Sequence, residues 1–381
     1  MGLLRNFVAA GIVVVAFSHT AWADGPDPTY QPATAPALAP SPSDSRAAMR
    51  SIPSDCTTCP KCAPCGREPC YQKRDACGWP TDACGKRIGC LEVALEGSYS
   101  FLSNPDGLLG ELVAGNTAPL NWNDLDYGGE FGGRVTIGYR YEPFRRIEVR
   151  GAYYGNPTDS RSVSGFFGAT PGITGTGDLS RPVDAAFSTD ATTWGVELNW
   201  WNELSCDGAI RTEWGLGARY VSFDETAHVG FVATGPGPFP VANGFVDSDT
   251  TNDWYGIQGC FAVHYDVTAS LDLGFTVKAL LGQVRSETHV SDDSIFAGGA
   301  HSASAKDEQI GIGADIDLSA RWRVTSRISV IGALNVLWLD KVQRAEDALD
   351  FSHSTTGAVQ ARNAPDQLLI ESLYLGVAFT F

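Results

Sequence analysis

The sequence predicts an all-β fold: an antiparallel up-and-down transmembrane β-barrel of about ten strands, preceded by a Cys-rich N-terminal segment. Three observations predict it. From Leu91 onward apolar and polar residues alternate with a period of two, the mark of strands with one apolar face. After the N-terminal leader no segment reaches about 18 consecutive apolar residues, so a membrane location requires a closed barrel rather than helices. Long connections alternate strictly with short ones, as in barrels with tight turns at one end and long loops at the other. Composition agrees: 42 glycines, 2 methionines and 10% aromatics in 381 residues suit strands and turns.

Three segments of different character come first. Residues 1–23 read as a secretory signal peptide: Arg5 supplies the positive end, Phe7 to Phe17 the apolar stretch and Ala21-Trp22-Ala23 the cleavage site, giving a mature chain from Asp24. Residues 24–55, rich in Pro, Ala, Ser and Asp, cannot bury a core and read as a disordered linker. Residues 56–90 hold eight of the ten cysteines: Cys56, Cys59, Cys62, Cys65, Cys70, Cys77, Cys84 and Cys90. The opening Cys-x-x-Cys-x-x-Cys-x-x-Cys has the look of a metal run. Export into an oxidising compartment favours disulfides instead. So do the two-residue gap before the fourth cysteine and Gly66 after it, where cluster runs have three residues and a proline. The pairing is not readable from spacing.

Residues 91–381 form the expected barrel. Its strands fall at about 91–102, 127–140, 144–154, 190–203, 209–225, 251–266, 270–288, 306–323, 327–341 and 366–381. The gaps 103–126, 155–189, 226–250, 289–305 and 342–365 are long, whereas 141–143, 204–208, 267–269 and 324–326 are short. The even strand count then puts both termini on the periplasmic side of an outer membrane. In the last strand Leu373, Leu375, Val377, Phe379 and Phe381 share one face. A terminal aromatic closing such a strand is the form of the signal read by the barrel-assembly machinery. The partners expected are therefore that machinery, outer-membrane lipid, and periplasmic or wall partners reached through the Cys-rich segment.

Parity sorts the strand residues into two faces. The outward face takes Val93, Leu95, Tyr99, Val135, Ile137, Tyr139, Trp194, Val196, Leu198, Trp200, Trp214, Leu216, Tyr255, Ile257, Phe261, Leu273, Phe275, Val277, Ile312, Ile316, Leu318 and Trp322. Its Trp and Tyr cluster toward strand ends, as interfacial girdles do. The inward face is polar and small. It takes the acids Glu92, Glu96, Glu130, Glu148, Glu197, Glu213, Asp272, Asp315 and Asp317, and the bases Arg134, Arg140, Arg150, Arg211, Arg219, Lys278 and Arg321. The lumen is thus mixed in sign, and Glu197, Glu213 and Arg219 are placed to pair across neighbouring strands. The strand at 327–341 is apolar on both parities, which suggests a bulge near Gly332. Ten strands lie near the size at which side chains fill a barrel, so a narrow or gated conduit is the most the lumen allows.

A net charge of −17 argues against nucleic-acid binding. No catalytic, cofactor or metal site is expected. There is no Gly-x-Ser-x-Gly elbow. His228 lies near Asp224 and Glu225, and His289 near Asp292 and Asp293, but both read as solvated loop residues rather than rim catalysts. Asp247, Asp249, Glu346, Asp347 and Asp350 form no Asp-x-Asp-x-Asp-Gly calcium loop. Cys206 and Cys260 read as separate thiols ahead of a bridge.

Several stretches together resemble a known family: Trp194-Gly195-Val196-Glu197-Leu198-Asn199, Gly217-Ala218-Arg219-Tyr220, Phe223-Asp224-Glu225, Asn252-Asp253-Trp254-Tyr255-Gly256-Ile257-Gln258, Val277-Lys278-Ala279-Leu280-Leu281-Gly282, and the ending Leu375-Gly376-Val377-Ala378-Phe379-Thr380-Phe381. Residues 91–381 resemble the planctomycete putative β-barrel porin family, and are similar to the wider Legionella major outer membrane protein-like, pore-forming family. The resemblance implies an outer-membrane barrel, pore-forming or of unknown transport role, with no catalytic residues. Where such sequences tend to carry Val-x-Arg-Pro-Gly after the ninth strand, this one has Val342-Gln343-Arg344-Ala345-Glu346, implying a differently shaped fifth outer loop. A pore for small solutes is the leading reading. A structural, envelope-anchoring barrel without an open channel, cross-linked through its cysteines, is the alternative that the mixed lumen favours.

Overall fold

In a computed structural model the described residues are 89–103, 108–111, 119–121, 127–142, 144–166, 183–207, 209–233, 244–292, 300–347, 349–350, 360–361 and 364–381. The signal peptide, the linker and the candidates Cys56, Cys59, Cys62, Cys65, Cys70, Cys77 and Cys84 lie outside them.

The strands in chain order are β1 (Cys90–Leu102), β2 (Leu108–Glu111), β3 (Pro119–Asn121), β4 (Gly129–Glu142), β5 (Arg145–Tyr153), β6 (Thr158–Phe166), β7 (Val183–Asp207), β8 (Ile210–Ala233), β9 (Gly244–Asp266), β10 (Leu271–Asp292), β11 (His301–Arg323), β12 (Ile328–Gln343), β13 (Leu349–Asp350), β14 (Gln360–Ala361) and β15 (Pro365–Thr380). Two small ribbons, β2–β3 and β13–β14, sit in long connections. The others form one sheet in the order β5-β4-β1-β15-β12-β11-β10-β9-β8-β7-β6, with β5 pairing back onto β7. β7 pairs β5 through Trp194 to Asn202 and β6 through Val183 to Asp190. β5 and β6 are therefore two halves of one wall strand. The break falls at Gly155, whose φ of +99° suits only glycine and where a Cβ would meet Glu130 Cβ at 2.6 Å. Pro157 follows, with no N–H for a ladder. The ring has ten wall strands among the described residues, antiparallel throughout, and closes through the β5–β7 pairing.

Burial alternates along the wall, as in β10, where every second residue from Asp272 to Leu280 turns inward to burial or partial burial. The outward residues make an apolar belt: Leu95, Ile137, Leu198, Leu216, Ile257, Leu273 and Leu318 are all exposed. Trp194 and Trp200 bound it on β7, six residues and roughly 20 Å apart at ~3.4 Å per residue, close to the ~25 Å band of outer-membrane barrels. Two of the short turns share one chemistry. Thr268 Oγ1 accepts from the N–H groups of Ser270 and Leu271, and Thr325 Oγ1 accepts from those of Arg327 and Ile328.

The structure corrects the sequence reading in three places. Residues 183–189, 226–233, 244–250, 289–292 and 301–305, expected as loop, continue β7, β8, β9, β10 and β11, and 158–166, also expected as loop, form β6. Their outward face carries Thr226, His228, Asp247, Asp249 and His289 rather than aliphatics, so the hydropathy period fades although the pleat does not. The irregularity of β12 lies between Asp340 and Val342, not at Gly332. There Lys341 has a φ of +67°, the only non-glycine residue in that region among those described. β1 begins at Cys90, one residue earlier than expected, with Gly89 N–H donating to Arg140 O at 2.7 Å. At the other terminus Phe381, exposed, donates its N–H to Leu91 O at 2.9 Å.

Candidate functional site

The interior of the barrel is the site, and it is layered. At the short-turn end a partly open vestibule of about 380 Å³ is lined by seven arginines and seven carboxylates, with Cys90 at its edge. They pair across the walls. Arg321 grips both Glu92 oxygens at 2.7 and 2.8 Å. Arg146 bridges Glu148 at 2.6 Å and Glu213 at 2.9 Å, and lies 4.9 Å over the Trp201 ring. Arg211 lies 3.2 Å from Glu213 and 3.9 Å from Asp272, and Arg140 lies 3.6 Å from Glu203. The bidentate Arg321–Glu92 pair is geometrically specific as well as strong.

The middle layer is drier. Lys278, with 0% of its side chain exposed, donates to Glu197 at 2.6 Å and lies 3.5 Å from Asp315. Arg219 also binds both Glu197 and Asp315. Arg150 approaches Glu197 at 3.3 Å, Asn335 donates to Asp315 at 2.6 Å, and Gln258 donates to Glu197 at 3.0 Å. These residues come from β5, β7, β8, β9, β10, β11 and β12, so the cluster bridges the lumen. Beside it Arg134 holds Glu96 through two bonds at 2.7 Å and Asp317 at 2.7 Å, with its guanidinium 4.0 Å from the Tyr374 ring centre. Buried charges are tolerable here because each is matched; removing one partner would leave an uncompensated charge.

Toward the long-loop end the lining turns apolar. Leu102, Ala191, Val221, Phe223, Trp254, Leu280, Val284, Leu337, Leu339, Leu368 and Ile370 pack into one buried cluster with Tyr127, Tyr154 and Val342. It spans from β7 and β8 to β12 and β15. The Trp254 ring fits because the wall beneath it is bare. A Cβ on Gly282 would meet its Cζ2 at 2.8 Å.

Above this layer the chain turns inward. Val342, Gln343, Arg344, Ala345 and Glu346 are all buried. Gln343 N–H donates to Asn252 Oδ1 at 2.8 Å, and Asn252 Nδ2 donates to Gln343 O at 2.8 Å, across from β12 to β9. Arg344 reaches β8, donating to Glu225 at 2.7 and 3.0 Å, while Ala345 N–H donates to Glu225 at 2.9 Å. Tyr127 O–H also donates to Glu225. Glu346 Oε1 lies 3.6 Å from Arg344 Nε, yet among the described residues neither Glu346 oxygen accepts a hydrogen bond from another residue. Burial, then the Glu225 charge, pushes the Glu346 carboxyl well above its ordinary range.

Of the residues expected inside, Glu96, Arg134, Arg140, Glu148, Glu197, Arg211, Glu213, Arg219, Asp272, Lys278, Asp315 and Asp317 are buried within the barrel. Glu92, Arg150 and Arg321 are partly buried there, and Glu130 stands half-buried at the long-loop end of β4, apart from these ion pairs. Glu197 meets Arg219, but Glu213 belongs to the vestibule with Arg146, Arg140 and Arg211. Arg146 and Glu203 were missed although they share parity with Glu148 and Glu197. The apolar layer corrects the expectation of a small, polar lumen, and explains why β12 is apolar on both faces. Arg344 and Glu346 fall beyond the strand period, where no pattern marks them. His228 pairs with Asp247 on the outer face while Glu225 points inward, and His289 meets Ser304 at 3.0 Å. Asp292 is buried 3.6 Å from His301 rather than facing His289. Cys260 is a buried free thiol donating to Asn199 at 3.7 Å. The side chain of Cys206 lies outside the described residues.

The family described as Putative beta barrel porin-7 (BBP7) matches residues 104–381. The chain belongs to this family. It is thus an outer-membrane β-barrel of porin type. No curated protein matches it. Among solved structures it is similar to the outer membrane protease OmpT from Escherichia coli, at 15% identity over 77% of this chain and 96% of that one, with a TM-score of 0.38. It is also similar to OprG from Pseudomonas aeruginosa, at 9% identity over 79% and 99% and a TM-score of 0.30. A major outer membrane protein from Thermus thermophilus shares 14% identity over 76% and 99%, with a TM-score of 0.27. Likenesses this distant carry no functional argument.

Proposed function

We propose that this porin-family chain is a gated pore for small solutes, without enzymatic activity, its short turns and both ends toward the periplasm. The observation that carries the reading is the inward course of Lys341–Asp347. A barrel sealed only by its wall would be sealed permanently. Here the last part of the seal is a turn, entered through one left-handed residue and held by side chains. Moving it would unroof the apolar layer, which remains the barrier that solutes must part. The vestibule suits small neutral or zwitterionic solutes, since its seven cations and seven anions leave no excess sign. The apolar belt faces outer-membrane lipid.

The alternative is a structural barrel with no channel. One observation favours it: the apolar cluster and the Glu197–Lys278 layer both cross the lumen. Liposome swelling separates the two. Refolded protein should admit a monosaccharide but exclude a trisaccharide, and Arg344→Ala should speed entry several-fold. A barrel shown folded by heat-modifiable gel migration, yet impermeable in both forms, would leave only the structural reading.

A further inference from the structure

The inward segment holds a charge arrangement that the seal alone does not require. Arg344 sits between two carboxylates, Glu225 and Glu346, and the side chains of all three are fully buried. Arg344 gives Glu225 its hydrogen bonds, at 2.7, 3.0 and 3.2 Å, and Tyr127 and the Ala345 N–H add two more. Glu346 receives none from another of the described residues. A deprotonated Glu346 would leave three buried charges summing to −1, with the extra charge on the one carboxylate that no neighbour solvates. Burying such a group is strongly unfavourable unless it is neutral.

We infer that Glu346 is a proton-operated latch: with its proton it keeps Lys341–Asp347 inside the mouth, and on losing that proton to water it drives the segment out. The inference rests on the reading of Lys341–Asp347 as the gate. The groups facing Glu346 are Arg344 and Asp347 on its own segment, Glu225 on β8 and Tyr127 ahead of β4. Asp190 on β7 and Asp249 on β9 stand exposed on the outward face, beyond Glu225. Arg344 is the one cation of that group, and Glu225 already engages it.

The direction follows from linkage. The inward state holds the Glu346 proton more tightly than the outward state, where the carboxyl returns to its ordinary value of 4.5. The inward state is therefore at full strength below that value. Above it the inward-to-outward ratio falls about tenfold per pH unit until the raised value is passed.

The test reads segment position without relying on conductance. In the full mature protein, Ala345→Cys is labelled with a charged methanethiosulfonate reagent across about pH 5–9. The site is assigned by mass spectrometry, and the rate is divided by that of Ser302→Cys on the exposed outer face to remove thiol ionisation. The ratio should climb steeply with pH in the otherwise wild-type chain. It should stay low and flat when Glu346→Gln is added. A ratio equally flat with and without that substitution, or equally steep in both, overturns the latch. Should Ala345→Cys fail to assemble, hydrogen exchange of residues 342–347, corrected for its intrinsic pH dependence, reads the same opening. Channel recordings on the same samples keep the two claims apart. pH-dependent labelling without conductance keeps the latch and sinks the pore; conductance with flat labelling does the reverse.

Discussion

Lys278 shows what a single buried side chain contributes. It is fully enclosed between Glu197 and Asp315, and its ammonium is compensated only there. Lys278→Met should cost about 3–5 kcal/mol, because it leaves the two acids short of a cation. The double change Lys278→Met with Asp315→Asn should recover part of that loss, since Glu197 keeps Arg219 and Arg150. Urea titration of heat-modifiable migration measures both; equal losses in the two variants would show that the pairing does not matter. Gly282→Ala is a second test. A Cβ there would meet Tyr255 O at 2.6 Å and the Trp254 ring at 2.8 Å, so a loss of about 1–3 kcal/mol is expected. At this scale much was legible in the sequence. Parity alone put Glu96, Glu197, Lys278 and Asp315 on one face. Trp254 was only half legible: parity, with Tyr255 outward, turns it inward, but an inward face read as small and polar has no place for an indole until the bare wall at Gly282 and Gly311 is known. Arg344 and Glu346 stood out only as an unusual outer-loop run, and their burial was not legible because they belong to no periodic element.

Among the elements, β12 and the segment after it carry the mechanism. The strand ends in a bulge whose extra residue, Lys341, adopts a left-handed conformation that costs a non-glycine residue about 1 kcal/mol. Lys341→Gly should therefore stabilise the inward course by about that amount and lengthen closed times in channel recordings; a shortening would contradict the assigned geometry. The strands themselves were legible where one face is apolar. They were not where β7 to β11 rise beyond the belt. Above Trp194 the outward face meets water, so Asp190, Thr226 and Asp249 replace aliphatics, and a strand there has the composition of a loop.

For the whole molecule, closure of the ring was readable from connection lengths, because an even number of antiparallel strands must return each short turn to the same end. Closure of the lumen was readable only in outline, from the strand count and the mixed signs of the inward face. It depends on which side chains meet across the barrel, and register within each strand does not specify that. The balanced vestibule makes one further prediction at this scale. A reversal potential measured across a salt gradient should lie near zero, and strong selectivity for either sign would contradict the paired lining.

The most direct test of a closed but openable lumen is single-channel recording of refolded, heat-modifiable protein in a planar bilayer, wild type beside Arg344→Ala. The wild-type barrel should stay mostly shut, with brief steps of one size. The variant, which loses the hydrogen bonds to Glu225 and Ser103 O, should dwell open about tenfold longer at the same step size, as a loss of ~1.4 kcal/mol would give. A wide, permanently open wild-type channel would contradict the closure, and silence in both proteins would contradict the pore.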